Sequence, residues 1–138
     1  MTLIIYFDRC KDILNIVSKY QKEYDASVYQ IETVTPISFL SKFKNETVNI
    51  KKCTLNLLDY NKIILISTLW HNEVPSPVIR FLEQSTGKIR DITYVLYNKN
   101  GEDKPNEFDK MDSILNLRRN KSFFVTLNKK TINVRVYQ

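Results

Sequence analysis

The residues best suited to chemistry form a short polar stretch, Asp8 to Ile13, directly after the apolar run Thr2 to Phe7. Cys10 lies between two basic residues at the predicted start of a helix, a setting that can lower the pKa of a thiol. Asp8 and Asp12 could form a carboxylate pair that transfers protons, but a helix N-cap also explains each of them. The stretch leaves open a reactive thiol, an acid–base pair and a purely structural helix start.

Other candidate chemistry is sparse in this sequence. His71, the only histidine, follows a predicted loop, where a lone imidazole is typically solvated. Cys10 and Cys53 are far apart and match no metal-ligand or redox spacing, so both are predicted to be reduced thiols. The chain holds only two glycines, and since glycine-rich phosphate cradles need several, a P-loop and a dinucleotide fingerprint are excluded. No catalytic triad, zinc site or calcium loop is recognisable in the sequence.

The composition is that of a soluble globular protein. The 138 residues suit one domain, and the formal charge of +6 favours an acidic partner. The basic residues are scattered, with no cluster longer than two, so a nucleic-acid function is not favoured. The N-terminus lacks a charged leader region, and no run approaches the ~20 apolar residues of a membrane helix. We therefore predict a cytoplasmic protein that does not enter a membrane.

Asn61 to Leu82 is the element around which the other predicted elements are arranged. Ile63 to Ile66 is an apolar run of strand length, suited to a strand covered on both faces. The predicted polar and aromatic loop after it consists of Ser67, Thr68, Leu69 and Trp70. A helix follows, with Ser76 as the N-cap, Pro77 at the first position and Gly87 ending it in the left-handed conformation. Loops of this kind, between a parallel strand and its returning helix, usually hold the ligands of α/β proteins.

The rest of the chain extends this α/β pattern. The further predicted elements are the strand Thr2 to Phe7, the helix Asp8 to Tyr24, the strand Ser27 to Ile31, the strand Ile92 to Tyr97, the helix Asn106 to Leu117 and the strand Ser122 to Leu127. The predicted apolar stripe of the first helix consists of Ile13, Leu14, Val17, Tyr20 and Tyr24. Asn128 to Lys130 has hairpin length, and Ile132, Val134 and Val136 alternate with polar residues, which predicts a half-exposed final strand.

Thr33 to Tyr60 is the least readable part of the chain. Pro36 could start a short helix, and Thr47 to Leu55 could be an edge strand or an irregular loop. Further on, Asn98 to Lys104 is rich in turn residues, with Gly101 as the expected position of positive φ.

Three stretches resemble the flavodoxin family, and together they extend over about residues 2 to 127. They are Ile4 to Tyr20 (IIYFDRCKDILNIVSKY), Leu57 to Glu83 (LLDYNKIILISTLWHNEVPSPVIRFLE) and Ile92 to Gly101 (ITYVLYNKNG). The second is the most specific, because a tyrosine precedes its strand, a tryptophan lies in the following loop, and a proline-flanked helix ends in Phe-Leu. The resemblance implies a doubly wound α/β fold with a five-stranded parallel sheet of order 2-1-3-4-5, flanked by helices on both faces. The alternating C-terminal residues could add an extra edge strand.

The resemblance also implies a site for flavin mononucleotide (FMN) at the C-terminal ends of the strands, and FMN-linked electron transfer as the function. The phosphate loop would comprise Asp8, Arg9, Cys10, Lys11, Asp12 and Ile13. The flavin would be bordered by Ser67, Thr68, Leu69, Trp70, Tyr97, Asn98 and Gly101. Trp70 would stack on the isoalloxazine, pack on the neighbouring helix or lie exposed, and Tyr97 would either line the same crevice or serve packing.

The phosphate loop departs from the family pattern in ways that predict weaker binding. Lys11 stands at the position of the family's glycine, and the apolar Ile13 replaces a hydroxyl residue. Asp8 puts a carboxylate, which only accepts hydrogen bonds, where a donor is needed. A carboxylate about 5 Å from a phosphate costs roughly 3 kcal/mol at an effective dielectric near 20, or about a hundredfold in affinity. We therefore predict that FMN binding is weakened or lost, and the alternative is a cofactor-free protein-interaction module. An electron carrier or a binding protein is favoured over an enzyme.

The C-terminus and the charge also differ from the family. Its members close with a helix after the fifth strand, whereas this chain ends in an extended segment, so the sheet face near strands one and five is predicted to lack cover. An uncovered apolar face usually marks a partner surface. Typical members are acidic and this chain is basic, which implies an acidic redox partner or other acidic protein. Homodimerisation is the other interaction that the pattern allows.

Overall fold

The computed structural model describes residues 1–35, 48–99, 102–128 and 131–138, which form a six-stranded sheet with helices on both faces. The strands are β1 (Thr2–Phe7), β2 (Ser27–Gln30), β3 (Lys62–Thr68), β4 (Ile92–Tyr97), β5 (Lys121–Asn128) and β6 (Thr131–Tyr137). The helices are α1 (Lys11–Tyr24), α2 (Ser76–Ser85) and α3 (Asn106–Leu115), and a 3-10 turn spans Leu57–Asp59. The strand order is β2-β1-β3-β4-β5-β6, parallel except for β6, which is antiparallel to β5. The predicted order 2-1-3-4-5 and the additional edge strand are both confirmed.

The central strands are apolar because both of their faces are covered. All six residues of β4 are buried, as are the five from Ile63 to Ser67 in β3. Alternate residues enter different cores: Leu3 packs with the residues under α2 and α3, and Ile4 packs with those under α1. The two cores fix the sheet between its helices, and this places the C-terminal ends of β1, β3 and β4 side by side.

Helix α1 uses a different stripe from the predicted one. Its buried residues are Ile13, Ile16, Val17 and Tyr20. They follow the i, i+3, i+4, i+7 spacing of one helix face, whereas Leu14 lies about 100° further around and is exposed. Leu14 was therefore wrongly predicted to be buried, and Ile16 takes its place. The helix ends where Asp25 adopts the left-handed conformation with φ 49°.

The ends of α2 and α3 also differ from the prediction. Pro75, not Ser76, occupies the capping position of α2, because its carbonyl accepts the N–H groups of Val78 and Ile79. Gly87 has φ +79°, so the predicted left-handed turn after α2 is confirmed. Helix α3 ends at Leu115 rather than Leu117, since Asn116 turns the chain with φ 56°.

The segment from Thr33 to Tyr60, for which the sequence predicted least, is only partly described by the structure. Thr33 and Ile50 form an isolated antiparallel bridge, and residues 51–56 have no regular structure, so the irregular loop is the alternative that holds. Asn56 caps the following 3-10 turn by accepting the N–H of Leu58 at 3.3 Å. The predicted short helix at Pro36, the positive φ of Gly101 and the lysines of the final hairpin lie outside the described residues.

The segment after β5 forms strand β6, which extends the sheet, instead of a helix that would cover one of its faces. The predicted lack of cover is wrong at Ile4 of β1 and at Val125 of β5, which are both fully buried in the core under α1, and it holds only at β6. Val134 and Val136 of β6 remain exposed on the α1 side of the sheet. In the part of the chain that the structure describes, no helix has the length and apolar character needed to cross a membrane.

Candidate functional site

The loop between β1 and α1 is organised by the side chain of Asp8. Its backbone is left-handed, with φ 84°, a conformation that an aspartate tolerates when its carboxylate bonds locally. Asp8 Oδ1 accepts the backbone N–H of Arg9 at 2.7 Å and that of Cys10 at 3.2 Å. Asp8 Oδ2 accepts the hydroxyl of Thr68 at 3.3 Å. The carboxylate thus occupies two backbone donors of the loop and links the ends of β1 and β3.

The start of α1 differs from the predicted capping. Cys10, rather than either aspartate, is at the N-cap position, and its carbonyl accepts the N–H of Leu14 at 3.1 Å. Asp12 lies in the first helical turn, where a carboxylate is stabilised by the helix dipole. Its Oδ2 accepts the Tyr97 hydroxyl at 2.6 Å. Each carboxylate is therefore held by its own donors, and both negative charges lie at one helix N-terminus.

Cys10 is an exposed thiol whose pKa is raised by its surroundings. Partial desolvation raises the pKa of the Cys10 thiol above its ordinary value of 9.0, and the negative charges of Asp8 and Asp12 raise that pKa further. A hydrogen bond from the backbone of Ile13 acts in the opposite direction but does not reverse the shift. Of the alternatives that the sequence left open, a thiol with a lowered pKa is not supported, because desolvation and the two carboxylates together raise the pKa of Cys10.

Tyr97, the last residue of β4, is buried and serves packing. It belongs to the core under α1, and its hydroxyl donates to Asp12 across 85 residues of sequence. Desolvation raises the pKa of Tyr97, and the hydrogen bond and negative charge of Asp12 raise it further. The phenol is thus a neutral donor that joins β4 to α1.

Trp70 is also buried, and its ring packs against β1. It meets the Phe7 ring edge-on, with the centroids 5.3 Å apart and the planes at 68°. Trp70 and Glu73 form a two-residue turn, with N–H to carbonyl distances of 2.7 and 3.0 Å. His71 and Asn72 at its tip have φ 53° and 66°, as a type I′ turn requires. The turn directs the indole inward, so packing is the alternative that describes Trp70.

The residues between β3 and this turn are more ordered than predicted. Ser67 and Thr68 belong to β3 rather than to a loop, because they continue the ladder with Leu96 and Tyr97 of β4. Ser67 is buried and donates to the Thr68 carbonyl at 2.8 Å. Leu69 follows, and its N–H donates to the Tyr97 carbonyl at 3.1 Å.

Two loops at this end of the sheet are joined by side chains. The amide of Asn98 donates to Asn72 Oδ1 at 3.1 Å and to the Glu102 carbonyl at 2.8 Å. The amide therefore connects the turn after β3 with the loop after β4. Gly101, predicted to border the same site, lies outside the described residues.

Sequence reasoning missed a charged link between the loop after β4 and β6. Arg135 donates to both carboxylate oxygens of Asp103, at 2.6 and 2.7 Å, and the Tyr137 hydroxyl donates to Asp103 Oδ2 at 2.5 Å. The hydrogen bond from Arg135 is the main reason why the pKa of Asp103 lies below its ordinary value. The available signal was that Arg135 and Tyr137 stand two residues apart on a predicted strand and therefore face the same side. The sequence did not indicate that Asp103, 32 residues before Arg135, is their shared partner.

A cavity of about 370 Å³ lies on the β2 side of this region. Its lining includes Phe7, Asp8, Arg9, Ile31, Glu32 and Trp70. The Trp70 Nε1 atom is buried and has no hydrogen-bond partner among the described residues. Of the other predicted loop residues, Lys11 is exposed at the start of α1, and Ile13 is fully buried in the core under that helix.

Comparison with solved structures shows that the fold is flavodoxin-like. The flavoprotein from Lactobacillus acidophilus in complex with FMN is 13% identical, with a TM-score of 0.74, over 88% of this chain and 90% of that chain. The apo-form of the flavoprotein from the same organism gives 13% identity and a TM-score of 0.67 over 86% of both chains. A candidate flavoprotein from Bacteroides eggerthii gives 15% identity and a TM-score of 0.76 over 89% of this chain and 86% of that chain. Models of protein families and curated protein sequences give no match.

Proposed function

We propose that this flavodoxin-like protein has weakened or lost FMN-linked electron transfer and acts by binding another protein. The observation that carries the proposal is the carboxylate of Asp8, which accepts the N–H groups of Arg9 and Cys10 at the start of α1. Backbone donors at a helix N-terminus are where an anion such as a phosphate would otherwise bind. The residues present therefore do not fit the phosphate of FMN.

Charge at the loop supports this conclusion. A phosphate near Asp8 would have to displace the carboxylate or share its donors, at the cost of roughly 3 kcal/mol per unit of phosphate charge at about 5 Å. The second carboxylate, Asp12, lies in the first turn of the same helix. Arg9 and Lys11 offset part of this repulsion, and about a hundredfold loss of affinity is the net expectation.

The aromatic residues support it as well. A bound flavin would supply one- and two-electron chemistry, but it needs a site that holds its ring. Trp70 packs against Phe7, and Tyr97 is bound to Asp12. Both side chains are buried, so neither ring presents a broad surface on which an isoalloxazine could stack.

Protein binding is favoured by the surface that remains. Val134 and Val136 are exposed on the uncovered side of β6, and the chain carries a formal charge of +6. Exposed apolar residues grouped on one strand are typical of a contact surface.

A second candidate is an FMN carrier that holds the cofactor through altered contacts. It is favoured by the likeness to the Lactobacillus acidophilus flavoprotein, whose structure contains FMN and which this chain matches over most of its length. The two candidates differ in colour, since a protein that retains FMN is yellow.

The test is a visible spectrum of the purified protein followed by an FMN titration monitored by flavin fluorescence. We expect a colourless protein with weak binding, and about a hundredfold tighter binding by Asp8→Gly, which removes the carboxylate and suits the positive φ. Asp25→Gly is the matched control, because Asp25 is also left-handed but lies at the other end of α1. A yellow wild-type protein, or micromolar FMN affinity, would overturn the proposal. Equal affinity of Asp8→Gly and wild type would remove Asp8 as the cause.

A further inference from the structure

One side of β6 presents a row of apolar side chains, which we call the edge strip: Ile132, Val134 and Val136. These residues pair with Leu127, Val125 and Phe123 of β5 and lie on the same face of the sheet as α1. Exposure increases along the strip, with Val134 at 39% and Val136 at 64%. The edge strip thus continues the core under α1 beyond the part of the sheet that this helix covers.

Strand β6 is also the last strand of the sheet and carries few of the features that protect an edge. It has seven residues, no proline and no glycine, and its single charged residue, Arg135, is paired with Asp103. The opposite edge, β2, has only four residues. Long edges without charges or prolines are templates for a further strand, and short edges are not.

We propose that the occupant of this edge is a second copy of the chain, paired antiparallel to β6 about a two-fold axis at Val134. This inference rests on the proposed function, because it names the protein that the surface binds. In this register Val134 faces its own copy, and Ile132 faces Val136 of the partner subunit. Cross-strand apolar pairs are what stabilises such an edge, and here the whole strip is paired.

The polar face of β6 selects the same register. With the axis at Val134, Arg135 faces Asn133 of the partner subunit and no like charges oppose each other. An axis at Arg135 would place two guanidinium groups opposite each other, which is destabilising. A shift of the pairing by a single residue would mix the two faces and set Ile132 against a polar residue. The strand sequence is therefore self-complementary about Val134, the register that pairs all three residues of the edge strip, as a two-fold interface requires.

The strand is held in position before any partner arrives. Arg135 and Tyr137 both bond to Asp103, and the Tyr137 ring packs against Phe108 and Phe124. A strand that is already ordered loses little further entropy on pairing, which favours association.

Analytical ultracentrifugation over a concentration series tests the inference. We expect wild type to reach twice the monomer mass of 16.4 kDa. Val134→Lys places two ammonium groups face to face and is expected to weaken the dimer by on the order of tenfold or more. Val28→Lys is the matched control, because Val28 is 43% exposed and lies on the opposite edge strand, so this variant should remain dimeric.

Opposite charges introduced at Val134, the residue on the two-fold axis, provide a second and more specific test. Val134→Lys and Val134→Asp should each self-associate more weakly than wild type and should form a one-to-one heterodimer when mixed, with folding of both verified by circular dichroism. Higher salt should strengthen the wild-type dimer, because both subunits are positively charged, whereas binding to an acidic partner would weaken.

Three results would overturn the inference: a monomeric wild type at millimolar concentration, a dimer broken by Val28→Lys but not by Val134→Lys, or no heterodimer on mixing the charged variants. The outcome is separable from that of the proposed function. A monomer that ignores FMN removes only the second copy as the partner, whereas a yellow protein removes the proposed function whatever its oligomeric state.

Discussion

Arg119 offers the clearest stability test, because a buried charge there connects three elements. Its side chain is 5% exposed and its Nη1 donates to Asp112 at 2.7 Å and to the exposed Asp109 at 3.0 Å. Its Nε donates to the Ser122 hydroxyl at 2.9 Å, and that hydroxyl donates to the carbonyl of Tyr137 at 2.6 Å. The guanidinium therefore links α3 and β5 directly and β6 through one further hydrogen bond.

The expected loss in the free energy of unfolding on Arg119→Met follows from the carboxylates that lose their partner. Asp112 is 13% exposed and would keep only the backbone N–H of residue 119, at 3.1 Å, besides water. Removing one partner of a buried ion pair costs about 3–5 kcal/mol, and the retained N–H favours the lower value. Asp109 adds little, because an exposed ion pair contributes at most about 1 kcal/mol. A loss of about 3 kcal/mol should lower the melting temperature by roughly 10 °C in a domain of this size.

Urea unfolding followed by circular dichroism measures this loss in the free energy of unfolding. The matched control is Arg118→Met, since Arg118 is the exposed neighbour and should change stability by less than about 0.5 kcal/mol. The double variant Arg119→Met, Asp112→Leu should regain most of the loss, because it removes the orphaned carboxylate. If the double variant were as unstable as the single one, the cost would come from lost packing and the electrostatic reasoning would be refuted.

Two further predictions concern titratable groups outside this network. The pKa of Asp103 is lowered by Arg135 from an ordinary value of 3.8, so its stabilising effect is complete above that value and is lost as pH falls through the folded-state pKa. Asp103→Asn should therefore show a flatter dependence of unfolding free energy on pH between about pH 2 and pH 5, and an unchanged slope would contradict this. In a Cys53→Ser background, Cys10 should react with iodoacetamide more slowly than a free cysteine peptide at neutral pH, because its pKa is raised. Faster alkylation than the peptide would contradict the electrostatic effect of the neighbouring carboxylates.

The fold was predictable where burial alone determines the element. Ile92 to Tyr97 was predicted to the residue, because a run of β-branched, aromatic and aliphatic residues between turn signals suits a strand covered on both faces. The end of β3 was not predicted correctly, because Ser67 and Thr68 are polar and were therefore assigned to a loop. A strand with parallel neighbours on both sides continues its ladder regardless of such residues, and Thr68 gains a hydrogen bond to Asp8.

The sequence predicted that the loops after β1, β3 and β4 lie at one end of the sheet, which the strand order confirms, but it did not predict the contacts within those loops. The carboxylate at residue 8 was recognisable as unfavourable for a phosphate, yet its use of the loop's own N–H groups depends on a backbone φ that sequence does not give. The inward direction of Trp70 depends on the turn that follows it and on Phe7, 63 residues away. The bond between Asp103 and Arg135 depends on the register of β6. These contacts are long-range or conformational, and periodicity carries no information about them.

The internal contacts of the site and the surface of β6 are parts of one arrangement. Asn98 holds the loop after β4 against the turn after β3, and Asp103 in the same loop binds Arg135 of β6. A strand that pairs with β6 therefore meets an element already bonded to the loops that border the site. In the loop after β1, Asp8 accepts the N–H groups of Arg9 and Cys10, and Trp70 and Tyr97 are held in the two cores, so binding at the edge needs no ligand to order these segments. Side chains supply here the order that an FMN-binding protein could obtain in part from its cofactor, so the proposed weakening of FMN binding is compatible with a preformed edge in the same chain.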